Sequence, residues 1–331
     1  QLAIDPHLTS QPHLTSQLHL DISPRPPREG TELRITLEEP TRRTLRVLLS
    51  QVSDQNFSTI KGIAITVQDV TREAELNEAK SQFISNVSHE LRTPLFNIKS
   101  FIETLHDYGD ELSPAERQEF LSTANSETDR LARLVNDVLD LSRLESSRSY
   151  HFDGVDLEQA IDQTLRTYAL NAKDKGIELS YDIAADIPLI YGNYDLLLQV
   201  FANLVGNAFK FTAPGGRVVM RAYSLAPKLG RSAQIPGKVR IEVADTGIGI
   251  DPEDQEAIFD RFFRVENRVH TLEGTGLGLS IVRNIVDRHH SKMHLVSEVG
   301  VGTTFWLDLD TFPEPESEEA ALNPESQTFV S

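Results

Sequence analysis

The run Ser88-His89-Glu90-Leu91-Arg92-Thr93-Pro94-Leu95 holds the side chain best placed for nucleophilic chemistry. His89 lies two residues past Val87, so about 200° of helical turn carries it away from an apolar seam and toward water. An imidazole there, beside a carboxylate and far from any second metal ligand, suits nucleophilic attack. Asp245-Thr246-Gly247-Ile248-Gly249-Ile250 follows a strand-like run. Its glycines let backbone approach a ligand ring, and Asp245 can accept a hydrogen bond from an exocyclic amine such as that of adenine. Gly274-Thr275-Gly276-Leu277-Gly278-Leu279 opens a helical pattern, where free N–H groups and the helix dipole attract phosphate. Asn203, Asn207 and Lys210 share one helical face, at i, i+4 and i+7. An amide oxygen for Mg²⁺ and an ammonium for phosphate would make that face a ledge for a polyphosphate. Taken singly each feature is weak. Glycine pairs usually mark plain turns, the polar face reads equally as a solvated one, and neither glycine segment ends in the Gly-Lys-Ser/Thr of a Walker loop.

These side chains need elements to hold them. Apolar residues recur at Ile84, Val87, Leu91, Leu95, Ile98, Ile102 and Leu105, the three-and-four step of a helix-pairing seam. The spacing predicts a helix from about Thr71 to Asp107, with Pro94 kinking it beside His89. Ser113, Pro114 and Glu116 predict a capped restart. The second helix carries Leu121, Ala124, Thr128, Leu131, Val135, Val138 and Ser142, widened by Leu134 and Leu141. The two form an antiparallel hairpin whose apolar stripes one hairpin cannot cover, so pairing into a dimeric four-helix bundle is expected. Before it, three strand-like runs (Glu32 to Glu39, Thr44 to Val52 and Gly62 to Val70) make part of a small antiparallel sheet, marginal alone.

After Ser147 the pattern turns to mixed α and β. Helices are expected from Asp156 to Gly176, from Asn193 to Lys210 and from Leu277 to Arg288. Strands are expected at Ile177 to Ile183, Arg217 to Tyr223, Lys238 to Ala244, Met293 to Ser297 and Thr303 to Leu309. Together they make an α/β sandwich. The organisation reads as 1–71 irregular N-terminus and partial sheet, 72–147 helical hairpin, 152–310 sandwich domain and 311–331 tail. From Thr311 onward there are five Glu, three Pro and no Lys or Arg, the composition of a disordered segment.

Composition narrows the classes. With 331 residues there is room for two or three domains, and a net charge of -18 argues against nucleic acid as partner. The absence of cysteine excludes disulfides, thiolate metal sites and cysteine catalysis. No run approaches the roughly 18 apolar residues of a membrane span. The opening at Gln1 reads as cut from something longer.

SHELRTPL, NLVGNAFKFT, DTGIGI, Phe259-Asp260-Arg261-Phe262 and GTGLGL, in this order and spacing, resemble the H, N, G1, F and G2 boxes of sensor histidine kinases. The likeness covers about residues 72 to 310. The segment before it, ending in Asp69-Val70-Thr71-Arg72-Glu73, is similar to the C-terminal half of a PAS domain. The H box and lid also resemble the NblS-like line of cyanobacteria and plastids.

This resemblance implies that His89 takes the γ-phosphoryl group of ATP and passes it to an aspartate on a response-regulator receiver domain. It implies that Glu90 bonds the other ring nitrogen and that Thr93 orients water for regulator dephosphorylation. Arg92 contacts either the phosphoryl group or only the neighbouring helix. Asn207 matches the Mg²⁺ ligand and Lys210 a phosphate contact. Asn203 stands where gyrase- and chaperone-like ATPases place a general-base Glu; an amide cannot deprotonate water, which favours transfer over hydrolysis. Asp245, Gly247 and Gly249 match the adenine end, Gly274, Gly276, Leu277 and Gly278 the phosphate end, and Thr303 or Thr304 a further adenine contact through water. Phe259, Phe262 and Phe263 would anchor a lid at Val265 to Glu273, where Arg264, Arg268 and His270 are triphosphate contacts or solvated charges. The resemblance further implies a homodimer, a cytoplasmic position for this stretch, and membrane anchoring only through a region of a longer parent protein.

Two departures stand out. His289-His290-Ser291 replaces the His-Gly-Gly common after the G2 helix, so that helix end must be reshaped; both histidines read as turn residues, not metal ligands. Leu225 to Pro236 is a long surface loop. Two other classes compete: a catalytically silent dimerisation scaffold with a structural nucleotide, and a gyrase- or chaperone-like ATPase.

Overall fold

The computed structural model describes residues 31–53, 60–146, 149–225, 237–264 and 274–313. The expected irregular N-terminus, the long loop after Leu225, the lid and most of the acidic tail lie outside the described residues. The chain divides into two compact units, residues 1–86 and 87–331.

In the first unit, β-branched alternation gives β1 (Thr31–Leu37), β2 (Arg43–Ser53) and β3 (Ile60–Asp69), an antiparallel sheet in the order β1-β2-β3. Register places Leu33, Val47 and Val67 in one cross-strand row and Leu49 beside Ile65 in the next. Ile63, Ile65 and Val67 remain exposed on β3. Helix α1 (Thr71–Tyr108) begins directly after β3. The Asp69 carboxylate accepts from the Thr71 backbone N–H at 3.0 Å and from its hydroxyl at 2.5 Å, while that hydroxyl oxygen accepts from Thr44 N–H at 2.9 Å. Arg46 reaches Glu73, and Arg42 lies 3.6 Å from Glu78. These bonds carry the unit past the expected boundary at residue 71, so the division falls inside α1.

The second unit begins with the His89 stretch of α1 and with α2 (Pro114–Ser146). The predicted restart forms a capping box. Ser113 N–H and hydroxyl donate to Glu116 at 2.8 and 2.7 Å, and Glu116 N–H donates back to the hydroxyl. Leu134, Leu141 and Leu144 are the best-covered α2 side chains, so the residues expected to widen the stripe form its centre. Leu95, Ile102, Leu121, Val135 and Leu139 stay exposed.

The sandwich is built as the pattern predicts, with small shifts at element ends. It comprises α3 (Leu157–Lys175), β5 (Glu178–Ile183), α4 (Tyr194–Phe211), β7 (Arg217–Leu225), β8 (Lys238–Asp245), α5 (Gly278–Arg288), β9 (His294–Glu298) and β10 (Gly302–Asp310). The sheet order is β5-β7-β8-β10-β9, with only the β5–β7 pair parallel. Val218, Met220, Ile241, Val243, Leu307 and Leu309 alternate inward onto Leu197, Val200, Phe201, Leu204, Ile281 and Ile285 of α4 and α5, all essentially fully buried. The outer face is polar, and Arg240 grips Asp308 with two bonds at 2.7 and 3.0 Å.

Two strands were not legible in the sequence, β4 (Asp153–Val155) and β6 (Ile190–Gly192), because three residues are too few to show a period. The expected tail boundary also shifts. Thr311 N–H donates to Gly237 O and Phe312 N–H to Leu189 O, so backbone pairing carries the domain past residue 310.

Candidate functional site

Helix α4 presents the polar ledge because its opposite side is committed to the core. Asn193 caps it, its side-chain oxygen accepting from Leu196 N–H at 3.0 Å. Gly206, an unfavourable residue inside a helix, allows the Tyr168 hydroxyl of α3 to reach the Ala202 carbonyl at 2.8 Å; a Cβ there would stand 3.0 Å from that hydroxyl. Asn203, Asn207 and Lys210 are all half-buried.

The phosphate-type glycine segment lies along this ledge. A Cβ on Gly278 would stand 2.7 Å from Asn203 Oδ1, and one on Gly274 would stand 2.7 Å from Lys210 Nζ. Asn207 falls between these two contacts in sequence, and no hydrogen bond among the described residues engages its side chain. Leu277 is buried and N-caps α5 without a side-chain bond, which leaves the first N–H groups of that helix for a ligand. Gly276 takes φ +72, and its carbonyl accepts from Phe262 N–H at 2.9 Å, tying the base of the expected lid to the glycine segment. Phe259 meets Phe305 edge-on, as a hydrophobic anchor should.

At the other end, Asp245 Oδ1 accepts from Gly247 N–H at 2.8 Å and Thr303 N–H at 3.3 Å. Burial pushes its carboxyl above the usual range, and these two donors pull the other way. Gly247 is buried with room for no Cβ: Asp245 Oδ1 and the Phe211 carbonyl would each be 2.7 Å away. Gly302, at φ +141, lets β10 pass so close that a Cβ would meet the Asp245 carbonyl. Gly249 packs equally tightly on the Glu298 carbonyl. Thr303 is buried and its hydroxyl lies 2.8 Å from that of Ser297. Helix α4 thus has the carboxylate corner at its C-terminal end and the glycine segment along its exposed length. Gly274 and Gly278, packed closely on Lys210 and Asn203, bring ammonium, amide and backbone groups together at the start of α5, groups of the kind a polyphosphate needs.

His89 is exposed on α1. Thr93 is exposed one turn on, its hydroxyl donating to the His89 carbonyl at 3.3 Å. Glu90 is turned elsewhere. Its carboxylate accepts from Arg130 of α2 at 3.2 Å, and Arg130 also faces Glu127, which accepts from Asn97 at 3.2 Å. The hydrogen bond described for Glu90 therefore runs across the hairpin, not to the ring of His89. Arg92 is exposed. Among the described residues no group of acidic or histidine side chains could hold a metal by itself.

Two features escaped the sequence. His289 is not a plain turn residue. It is buried; its Nε2 accepts from the Asn193 backbone N–H at 3.1 Å and its Nδ1 lies 2.8 Å from the Ile285 carbonyl. A backbone N–H can only donate, so the ring is neutral with its proton on Nδ1, and it pins the start of α4 to the end of α5. His290 beside it takes φ +54, the left-handed cap where glycine is usual. Burial lowers the His289 pKa below 6.5, outweighing the Ile285 bond, with His290 adding a smaller push downward. The unfolded chain therefore binds the proton first as pH falls. Stability should drop from about pH 6.5 downward, by at most about 1.4 kcal/mol per pH unit. Urea melts at pH 7.5 and 5.5 check this: His289→Gln should show a shallower pH dependence than the parent chain, and identical slopes would refute it.

The second feature is where the sandwich rests on α2. Thr275 of the glycine segment donates to Asp137 at 2.5 Å, Gln199 of α4 donates to Asp140 at 2.7 Å, Arg261 pairs with Glu145, and Arg288 donates to the Leu144 carbonyl. Acids on an exposed helix read as solvated charge in the sequence, so nothing there marked them.

Comparison with known proteins adds the following. Residues 79–147 match the His Kinase A (phospho-acceptor) domain, and residues 192–313 match the histidine kinase-, DNA gyrase B- and HSP90-like ATPase family, together more than half of the chain. The chain is 66% identical over 281 residues to Drug sensory protein A of Synechocystis sp., covering 85% of this chain and 42% of that protein. It is 57% identical over 284 residues to the uncharacterized sensor-like histidine kinase ycf26 of Pyropia yezoensis, covering 85% and 44%. The chain thus spans less than half the length of these relatives. The crystal structure of full-length ShkA in complex with AMPPNP matches with TM-score 0.50 and 30% identity, covering 70% of this chain and 46% of that one. The histidine kinase ThkA, in complex with response regulator protein TrrA, matches in fold with TM-score 0.56 and 23% identity, covering 85% of this chain and 79% of that one.

Proposed function

Because the chain belongs to the sensor histidine kinase family, we propose that it transfers the γ-phosphoryl group of ATP to a ring nitrogen of His89 and then to an aspartate of a response-regulator receiver domain. The observation that carries this is the pairing, within one compact unit, of an exposed imidazole with a cradle of glycine backbone, two asparagines and a lysine. Asp245 selects adenine by accepting from its exocyclic amine. Lys210 and the first N–H groups of α5 neutralise phosphate charge. Asn207 supplies the amide oxygen for Mg²⁺, which when bound withdraws charge from the phosphate oxygens. Asn203, as an amide, holds no proton-accepting role and leaves water unactivated. Glu90, next to His89 in sequence, is held by Arg130 across the hairpin, and a ring nitrogen's lone pair attacks phosphorus as the bond to the ADP oxygen breaks.

The exposed apolar side chains Leu95, Ile102, Leu121, Val135 and Leu139 support pairing with a second hairpin in a homodimer. The silent-scaffold and ATPase readings lack any such support, since every residue the transfer needs is present.

Incubation with γ-labelled ATP and Mg²⁺ tests the proposal. Label on the chain should be acid-labile and alkali-stable, and should move to a receiver domain as an alkali-labile acyl phosphate. Acid-stable label, or steady hydrolysis with none retained, would overturn it. Thr93→Ala should slow loss of label from the phosphorylated receiver about tenfold while autophosphorylation persists, as expected when a water-orienting hydroxyl is removed. An unchanged rate of loss would exclude that role.

A further inference from the structure

We propose that Asp137 is a resting-state latch, an autoinhibitory carboxylate that holds the nucleotide loop against α2 and is expelled when ATP binds. This rests on the kinase reading of the site.

The Thr275 hydroxyl lies inside the phosphate-type glycine segment. It donates to Asp137 and accepts from Leu277 N–H at 3.2 Å, so an anion from another element already stands at the rim of the loop that leads into α5. Asp137 is half-buried, and desolvation raises its pKa despite the Thr275 bond, which marks a carboxylate taken out of water at a cost. A triphosphate in the cradle would bring several negative charges beside it, in surroundings where water screens them poorly. The carboxylate and the nucleotide therefore compete for the same electropositive rim.

The contact belongs to a wider dock. Gln199–Asp140, Arg288–Leu144 O and Arg261–Glu145 follow in order down α2 from Asp137. Arg130, which faces Glu90 beside the acceptor histidine, is seven residues up the same helix. At 1.5 Å per residue the latch sits about 10 Å along the hairpin from the level of His89. Docked in this way, the phosphate end of the cradle is held at the wrong level for transfer. Binding reciprocity then requires that whatever the latch takes from ATP affinity, ATP takes from docking.

The test is ATP affinity, read by displacement of a fluorescent nucleotide from the full chain. Asp137→Asn removes the charge and keeps an acceptor oxygen; it should bind ATP about fivefold tighter or more, within the usual range of such couplings. Asp140→Ala removes a docking contact away from the nucleotide and should tighten binding in the same direction by a smaller factor. Unchanged or weaker affinity in Asp137→Asn would overturn the proposal. Tightening in Asp137→Asn without any in Asp140→Ala would overturn the latch, since the charge would then act locally and not through docking. The readout needs binding and no chemistry, so a failure of the kinase reading shows separately, as absence of label on the parent chain.

Discussion

His89→Gln should take acid-labile labelling from γ-labelled ATP to background, a loss of about three orders of magnitude or more, while ATP affinity stays that of the parent chain. The separation of effects follows from position. His89 is exposed on α1, and its ring takes part in none of the hydrogen bonds described among these residues. Glutamine keeps a polar side chain on the same exposed face, so helix and hairpin survive. It lacks a ring nitrogen with an available lone pair, and an amide is no nucleophile at neutral pH. Asp245, the ledge and the glycine segment lie on other elements and are untouched. Label surviving in the variant would place the acceptor elsewhere, and lost nucleotide binding would mean that His89 serves the cradle itself.

The second large effect concerns Asp245. Asp245→Ala should weaken ATP binding on the order of 100-fold or more, because hydrogen bonds to a charged group are worth about 1.5–3 kcal/mol and two partly buried N–H groups lose their acceptor as well. Those groups are Gly247 N–H, in the turn after β8, and Thr303 N–H, on β10. Asp245→Asn retains one acceptor oxygen but can turn a donor toward the base. It should weaken ATP binding less and narrow the preference for ATP over GTP, since guanine offers a carbonyl where adenine offers an amine. Titrations with both nucleotides decide this. An unaltered ATP-to-GTP ratio in Asp245→Asn would remove the carboxylate from adenine selection.

Much of this site was legible in the sequence because its parts are local. The i, i+4, i+7 spacing of Asn203, Asn207 and Lys210 fixes their shared face once α4 forms, and glycines at 274, 276 and 278 announce backbone that must approach something closely. Ser113 and Glu116 specify a helix start within four residues, and the capping box forms as read. What stayed hidden depends on distant partners. Glu90 is 40 residues from Arg130, Asn193 is 96 from His289, and Thr275 is 138 from Asp137. No periodicity relates such pairs; only folding brings them together. The same holds for β4 and β6, whose pairing is a tertiary event between three-residue strands. His289 shows the limit best: two adjacent histidines at a helix end look like loop residues until the packing shows one ring buried between helices and the other supplying a left-handed turn.

The most direct measurement is the chemical address of the phosphoryl group. After incubation with ATP and Mg²⁺, digestion under alkaline conditions and mass spectrometry should find one phosphoryl group, on the peptide that contains His89 and on its imidazole. A phosphoryl group on any other side chain, or none on a chain that demonstrably binds ATP, would contradict transfer from the α4 cradle to this histidine.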